Sequence, residues 1–367
     1  MNDTLRSMMG SAVGAQIVLD GKPYVNFGGS SYLGLASHSQ IIQAGVTSLR
    51  LLGSGLPLSR EQHVVTSEHR EIEAEAATFF GSSDALYLGS GYFFALVSIA
   101  AIRNGYQAIF FDELAHYSLR EAIAASGLRS WSFRHLDTQD LERRMKLYLS
   151  AGEKPMIITD GMFSSLGEIA PLDQLWQLAL SYGGRLLVDE SHSFGVLGGT
   201  GRGACEHHGI AAGAAVIGGS LGKAFGTYGG IALGTSHEVA AYRKSPAARG
   251  ASPGMPAAAA MCAASLKYVR EHPELLARLR QNIHYLKVGL RRLGLDVGDS
   301  AAPVAAFSVG TEQSMRELQR SLLARGLFVY YTTYIGATKQ GAIRCGIFAD
   351  HTREHMDRLL DGLQRLL

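Results

Sequence analysis

The sequence predicts an α/β protein: a mostly parallel, helix-covered sheet followed by a smaller C-terminal α+β lobe. Two observations carry this. From about residue 66 to 245, short apolar β-type runs alternate with helix-length amphipathic stretches, the pattern of strands joined by crossover helices. After about residue 250 the alternation gives way to long helical stretches, β-like pieces and a final helix. The chain of 367 residues is long enough for both units. The expected division is an N-terminal segment (1–42), a large domain (43–272) and a small C-terminal domain (273–367).

Taken in order, the strand candidates are Ala85–Leu88, Ala108–Phe111, Ser130–Phe133, Met156–Thr159, Arg185–Val188, Ala215–Ile217 and Gly230–Leu233. Several are almost wholly apolar, as expected where both faces of a sheet are covered. Thr66 and Asp137 read as helix caps. Leu141, Met145 and Tyr148 share one helix face. Beyond residue 250 come helices over Pro256–Val269 and Pro273–Leu293, β-like pieces at Val304–Val309, Leu327–Tyr331 and Ala342–Phe348, and a terminal helix capped by Thr352.

Hydrophobic residues make up 47% and charged residues 18% of the chain, a balance that fits a folded protein and not a disordered one. The net charge of +2 and the absence of long Lys/Arg runs argue against a nucleic-acid partner. No apolar run reaches the length of a membrane span. MNDTLRSMMG lacks the basic and apolar stretches of a secretory signal. Three widely spaced cysteines suggest neither a metal site nor a disulfide framework, so a cytoplasmic location is expected.

Two segments carry chemistry. In Arg185-Leu-Leu-Val-Asp-Glu-Ser-His192, an apolar strand ends in Asp189 and a loop begins. Ligands of open α/β sheets bind at such strand ends, although a turn or capping Asp is equally common there. In Gly218-Gly-Ser-Leu-Gly-Lys-Ala-Phe-Gly226, Lys223 sits among small residues just past a strand. The pattern argues against a phosphate-binding P-loop: the glycine spacing is one residue short, and Ala224 stands where a hydroxyl is needed. Gly89-Ser-Gly91 continues Tyr-Phe-Phe and makes no dinucleotide fingerprint.

A partly buried lysine has a lowered pKa and a free amine, suited to Schiff-base chemistry. Pyridoxal 5'-phosphate (PLP) would need an acid at its pyridine nitrogen, which Asp189 can supply. Its phosphate would need hydroxyls and a helix N-terminus. Ser90-Gly91-Tyr92 and Ser220 fit that need.

From about Asn26 to the C-terminus the chain resembles the α-oxoamine synthases, a branch of the fold-type I PLP-dependent transferases. The resemblance rests on Ser31-Tyr-Leu-Gly-Leu35, Ser90-Gly-Tyr92, Asp112-Glu-Leu-Ala-His116, Thr159-Asp-Gly-Met-Phe-Ser164, Val188–Gly198, Thr200-Gly-Arg-Gly203 and Ser220–Gly226. It implies that Lys223 holds the cofactor as a Schiff base and then acts as base at Cα. It further implies that Asp189 pairs with the pyridine nitrogen and His116 stacks on the ring. His192 and Ser164 would lie near the phenolic oxygen, with Ser220, Ser90 and the Gly91–Tyr92 backbone on the phosphate. Arg344 would take the substrate carboxylate, Ser31 would lie by the substrate, and Ser252 would reach a partner subunit's phosphate in a homodimer.

Read without the resemblance, His116 is more readily a satisfied cleft-wall histidine and Arg344 more readily a structural ion pair; Cys345 reads as packing.

The implied reaction is decarboxylative condensation of an amino acid, L-alanine foremost, with a thioester of CoA or acyl carrier protein, as in 8-amino-7-oxononanoate synthase. A serine palmitoyltransferase-like or secondary-metabolite activity is the alternative. Further off lie another fold-type I lyase or aminotransferase, and a non-catalytic subunit, which would be expected to lack Lys223.

The chain departs from the family pattern at Ser31, at Tyr117 beside His116 (where the family has Ala), at Gly55-Leu-Pro-Leu-Ser-Arg60, at Phe94-Ala95 and at Met255. Leu56, Leu58, Phe93, Phe94 and Tyr117 suit either a greasy acyl chain or a better-packed wall. These departures bear on the substrate and leave the cofactor residues intact.

Overall fold

Seven strands build the central sheet of this computed structural model, which describes residues 7–367. The first six residues, on which the signal-peptide reading partly rests, lie outside the described residues. An N-terminal hairpin, β1 (Gln16–Leu19) and β2 (Lys22–Asn26), precedes the sheet. The sheet strands are β3 (Asp84–Leu88), β4 (Ala108–Asp112), β5 (Arg129–Phe133), β6 (Pro155–Asp160), β7 (Arg185–Asp189), β8 (Val216–Ser220) and β9 (Gly230–Gly234). Their spatial order is β3-β9-β8-β7-β6-β4-β5. Only β9 runs antiparallel to its neighbours. All seven fall on the expected runs, most extended by a residue or two.

Burial explains their composition. Every residue of β6 is buried, and so are the last four of β7. Two apolar clusters form, one holding Ile157, Leu186 and Val188 and the other Ile158, Leu187 and Val216. Alternate residues of one strand thus face opposite layers. The crossovers begin where capping chemistry permits. Asp137 accepts from the Asp140 N–H at 2.8 Å, and Thr66 and His69 bond at 2.8 Å in a capping box.

The C-terminal part opens with helices Pro256–Glu271 and Glu274–Arg292. Its sheet pairs β10 (Val304–Phe307), β13 (Ala342–Gly346) and β12 (Tyr330–Thr332), all antiparallel. The expected single strand Leu327–Tyr331 is two. Its start, β11 (Leu327–Phe328), leaves this sheet and pairs in parallel with β2. The last helix, Arg353–Gln364, is capped by Thr352, whose hydroxyl accepts from His355 at 3.2 Å. Among the described residues no helix is long and apolar enough to cross a membrane.

Candidate active site

The carboxyl ends of the parallel strands converge on a cleft of about 220 Å³ lined by Ser90, Gly91, Tyr92, His116, Asp160, Asp189, His192, Ser220 and Lys223, with Ser118 and Ser191. This is where ligands of such sheets bind.

Each side chain reaches the cleft for a local reason. Asp189 is the last residue of β7, and its Oδ1 accepts from the Ser191 N–H at 2.9 Å. The Ser191 hydroxyl in turn accepts from the Ser220 N–H at 2.8 Å, tying the ends of β7 and β8 together. Lys223 follows three residues on, in the turn between β8 and β9. Burial pushes its amine down to about 8 against the pull of Asp189 and Asp160.

His116 caps helix Tyr117–Ser126, its Nδ1 accepting from the Ser118 N–H at 3.2 Å. Its backbone N–H donates to Asp160 at 2.9 Å. The approach to it is built by Asp112, which accepts from the backbone N–H of Leu114 and Leu136. Burial holds the His116 imidazole below its usual pKa.

His192 Nδ1 lies 2.8 Å from the Tyr32 hydroxyl. Burial first, then the cations Lys223 and Arg344, hold its imidazole well below the usual value, so it is neutral at pH 7. Arg344 donates from Nε to the Ser164 carbonyl at 2.7 Å and from a terminal nitrogen to the Gly29 carbonyl at 2.8 Å, and it reaches the Tyr32 hydroxyl at 3.4 Å. No carboxylate pairs with it among the described residues, so the ion-pair alternative is absent. Cys345 beside it is fully buried, and burial raises its thiol to about 12, as packing would have it.

Ser90, Gly91 and Ser220 form the remaining corner. Helix Phe93–Ile102 starts here with no acid in its first turn, which leaves its positive N-terminal end free for an anion. A Cβ on Gly91 would come within 2.6 Å of Ser220 Cα, so only glycine lets the two loops meet. The donor set therefore fits PLP. A low-pKa amine, a buried carboxylate and an anion corner line one cleft of suitable chemistry.

Of the expected residues, Ser31, Ser164, Arg344 and Ser252 (the last expected at a partner subunit's phosphate) are not among those that line this cleft. The Ser31 hydroxyl donates to the Val13 carbonyl at 3.3 Å. Ser252 is exposed, and its hydroxyl donates to the Leu56 carbonyl at 3.0 Å. Phe94 is fully buried, against the face Gly218 leaves open, and so belongs to the core. Conversely, Tyr32, Asp160 and Ser191 lie within the recognised motifs but were given no role from sequence. Each acts through a neighbour, which motif reading does not reveal.

Comparison with known proteins follows the same lines. Residues 22–363 match the family model described as aminotransferase class I and II. The chain is 34% identical over 357 residues to the 8-amino-7-oxononanoate synthase of Coprothermobacter proteolyticus, covering 96% of this chain and 90% of that protein. It is 34% identical over 367 residues to the enzyme of the same name from Methylococcus capsulatus, covering 98% and 93%. A serine palmitoyltransferase from S. paucimobilis, solved with a bound PLP–myriocin aldimine, superposes with a TM-score of 0.92 at 25% identity, covering 99% of this chain and 92% of that one. The 8-amino-7-oxononanoate synthase of Francisella tularensis gives 0.76 at 25% identity, covering 93% and 97%.

Fold and cleft thus define a fold-type I PLP-dependent transferase. Within that class the chain belongs to the α-oxoamine synthase family, whose members are PLP-dependent acyltransferases.

Proposed function

We propose that this enzyme condenses L-alanine with an acyl thioester of CoA or acyl carrier protein, releasing CO2 and the free thiol and yielding an α-amino ketone. The observation that carries the reading is the meeting of Lys223, Asp189 and His116 in one cleft, in a chain 34% identical to enzymes named 8-amino-7-oxononanoate synthase.

In this reading Lys223 holds PLP covalently and Asp189 binds its pyridine nitrogen. His116 packs on the ring, and His192 and Ser164 flank the phenolic oxygen. Ser90, Ser220 and the Gly91–Tyr92 backbone hold the phosphate. Bound there, the cofactor supplies an electron sink that makes the amino-acid Cα–H acidic. Arg344, fixed by two carbonyls and Tyr32, retains N–H groups to orient the substrate carboxylate. The Lys223 Nζ would be the base that takes the Cα proton; a pKa of about 8 suits a base near neutral pH. His192, held neutral, donates or accepts at the cofactor edge without adding a charge.

Purified enzyme incubated with alanine, serine and glycine against a panel of thioesters tests this. If no amino acid releases CO2 with any of the donors, the synthase reading is wrong. A serine-using activity is the second reading, favoured by the TM-score of 0.92 to the palmitoyltransferase. Turnover without any thioester would indicate a lyase or aminotransferase.

A homodimer with shared active sites is part of the proposal. Tyr228 (67% exposed) and Met255 (38% exposed) flank the Tyr87 and Gly254 segment, and exposed Ser252 lies close by, at Leu56. Such apolar exposure suits a subunit contact. Light scattering at micromolar concentration checks it. The three buried free cysteines support a cytoplasmic location.

A further inference from the structure

His116 stands in a ring of three tyrosines. Its centroid lies 6.1 Å from Tyr92, 6.2 Å from Tyr117 and 6.3 Å from Tyr334. Tyr117 and Tyr334 also meet edge to face at 5.6 Å, a favoured aromatic geometry. They come from distant parts of the chain. Tyr117 opens the helix after His116, and Tyr334 sits on the loop between β12 and β13. That loop is anchored to the cleft by the Ser165 hydroxyl on the Ile335 carbonyl.

All three rings are exposed, between 38% and 47%, so they stand on the solvent side of His116. Among the described residues only the Tyr92 hydroxyl of the three is engaged, with Glu121 at 2.7 Å. Burial, Tyr117 and Asp160 raise the Tyr334 phenol above its ordinary pKa, so its hydroxyl stays protonated and available as a donor close to the cleft. An aromatic wall with two free hydroxyls, at the mouth of a cleft, is suited to a chain that alternates methylenes with amides.

We propose that Tyr117 and Tyr334 recognise the pantetheine arm of the acyl donor, the stretch that CoA and acyl carrier protein share. This inference rests on the synthase reading. The rings cover the methylenes of the arm, and the hydroxyls bond its amides. A purely aliphatic acyl chain would leave both hydroxyls unused.

The holoenzyme tests this with two donors that carry the same acyl group, one on CoA and one on N-acetylcysteamine, a stump of the arm. Tyr117→Ala and Tyr334→Ala should each raise KM for acyl-CoA roughly 10-fold, the loss of one good contact. They should leave KM for the stump within about 2-fold. Donor-free exchange of the amino-acid Cα proton with solvent should match wild type. Tyr117→Phe and Tyr334→Phe should fall between. An equal shift for both donors, or no shift for CoA, overturns the proposal while the synthase reading stands. Wild-type enzyme that exchanges the proton but accepts neither donor overturns the synthase reading and this wall with it.

Discussion

Asp160 and Asp189 are register partners at the carboxyl ends of β6 and β7, so two carboxyl groups line one cleft with a single lysine. Burial, and then the charge of Asp189, hold the Asp160 carboxyl well above the ordinary carboxylate range. Asp160 also accepts the His116 N–H at 2.9 Å. The two acids should separate on mutation. Asp189→Asn should lower kcat by at least about 10²-fold, whereas Asp160→Asn, which keeps a carbonyl for His116, should cost less than about 10-fold. Steady-state kinetics on both variants checks this.

Lys223 should show its lowered pKa directly. Its value of about 8 lies below the ordinary 10.5, so the neutral amine gains population as pH rises through about 8. The rate at which apo-enzyme takes up PLP, followed by absorbance, should rise across that range and then level. Lys223→Ala should show neither the absorbance of covalently bound cofactor nor turnover. A flat pH profile would place the reactive amine elsewhere.

His135 joins two loops of the site. Its Nδ1 meets Asp112 at 2.8 Å on the His116 side, and its Nε2 meets Glu168 at 3.1 Å on the Ser164 side. Burial opposes its charge, but the bonds to Asp112 and Glu168 prevail and raise its pKa to about 9. This stabilisation is complete below the unfolded value of 6.5 and is lost as pH rises through about 9. His135→Gln should therefore destabilise the protein by about 3 kcal/mol at pH 6 and by much less at pH 10. Urea unfolding at the two pH values measures the difference.

Gly91 should tolerate no side chain. Gly91→Ala would drive a methyl into the Ser220 backbone and part the two loops of the anion corner. We expect PLP affinity to fall by roughly 10-fold or more, together with a lower melting temperature of the apo-enzyme, since the clash is with backbone. Equilibrium titration with PLP gives the answer.

The sheet was legible because its strands are apolar on both faces and sharply bounded, as at Met156–Thr159 and Arg185–Val188. The caps at Thr66, Asp137 and Thr352 were legible from residue type alone. The split at Val329 was not. Leu327–Tyr331 reads as one β-type run, and only the tertiary pairing of Leu327 with Val25 divides it. The hairpin Gln16–Asn26 was missed too, because its alternation is short and its partner lies at the far end of the chain. Lys223, Asp189, His192 and His116 were legible through motif context and do share the cleft. Ser31 and Ser252 were singled out by the resemblance, and their hydroxyls donate to the Val13 and Leu56 carbonyls. Tyr32 was overlooked because its partners, His192 and Arg344, are remote in sequence.

The pairing of β2 with β11 also sets an order of events. Val25 meets Leu327, Gly29 accepts from Arg344 and Asn26 accepts from His351. Contacts this distant close late, since the loop entropy must be met before they repay it. The corner that holds Tyr32 and Arg344 thus depends on contacts more than 300 residues apart in sequence, whereas the Lys223 loop is closed by the local bond from the Leu221 N–H to the Gly229 carbonyl. Loosening the pairing of β2 with β11 should therefore disturb the Arg344 corner while the Lys223 loop keeps its shape.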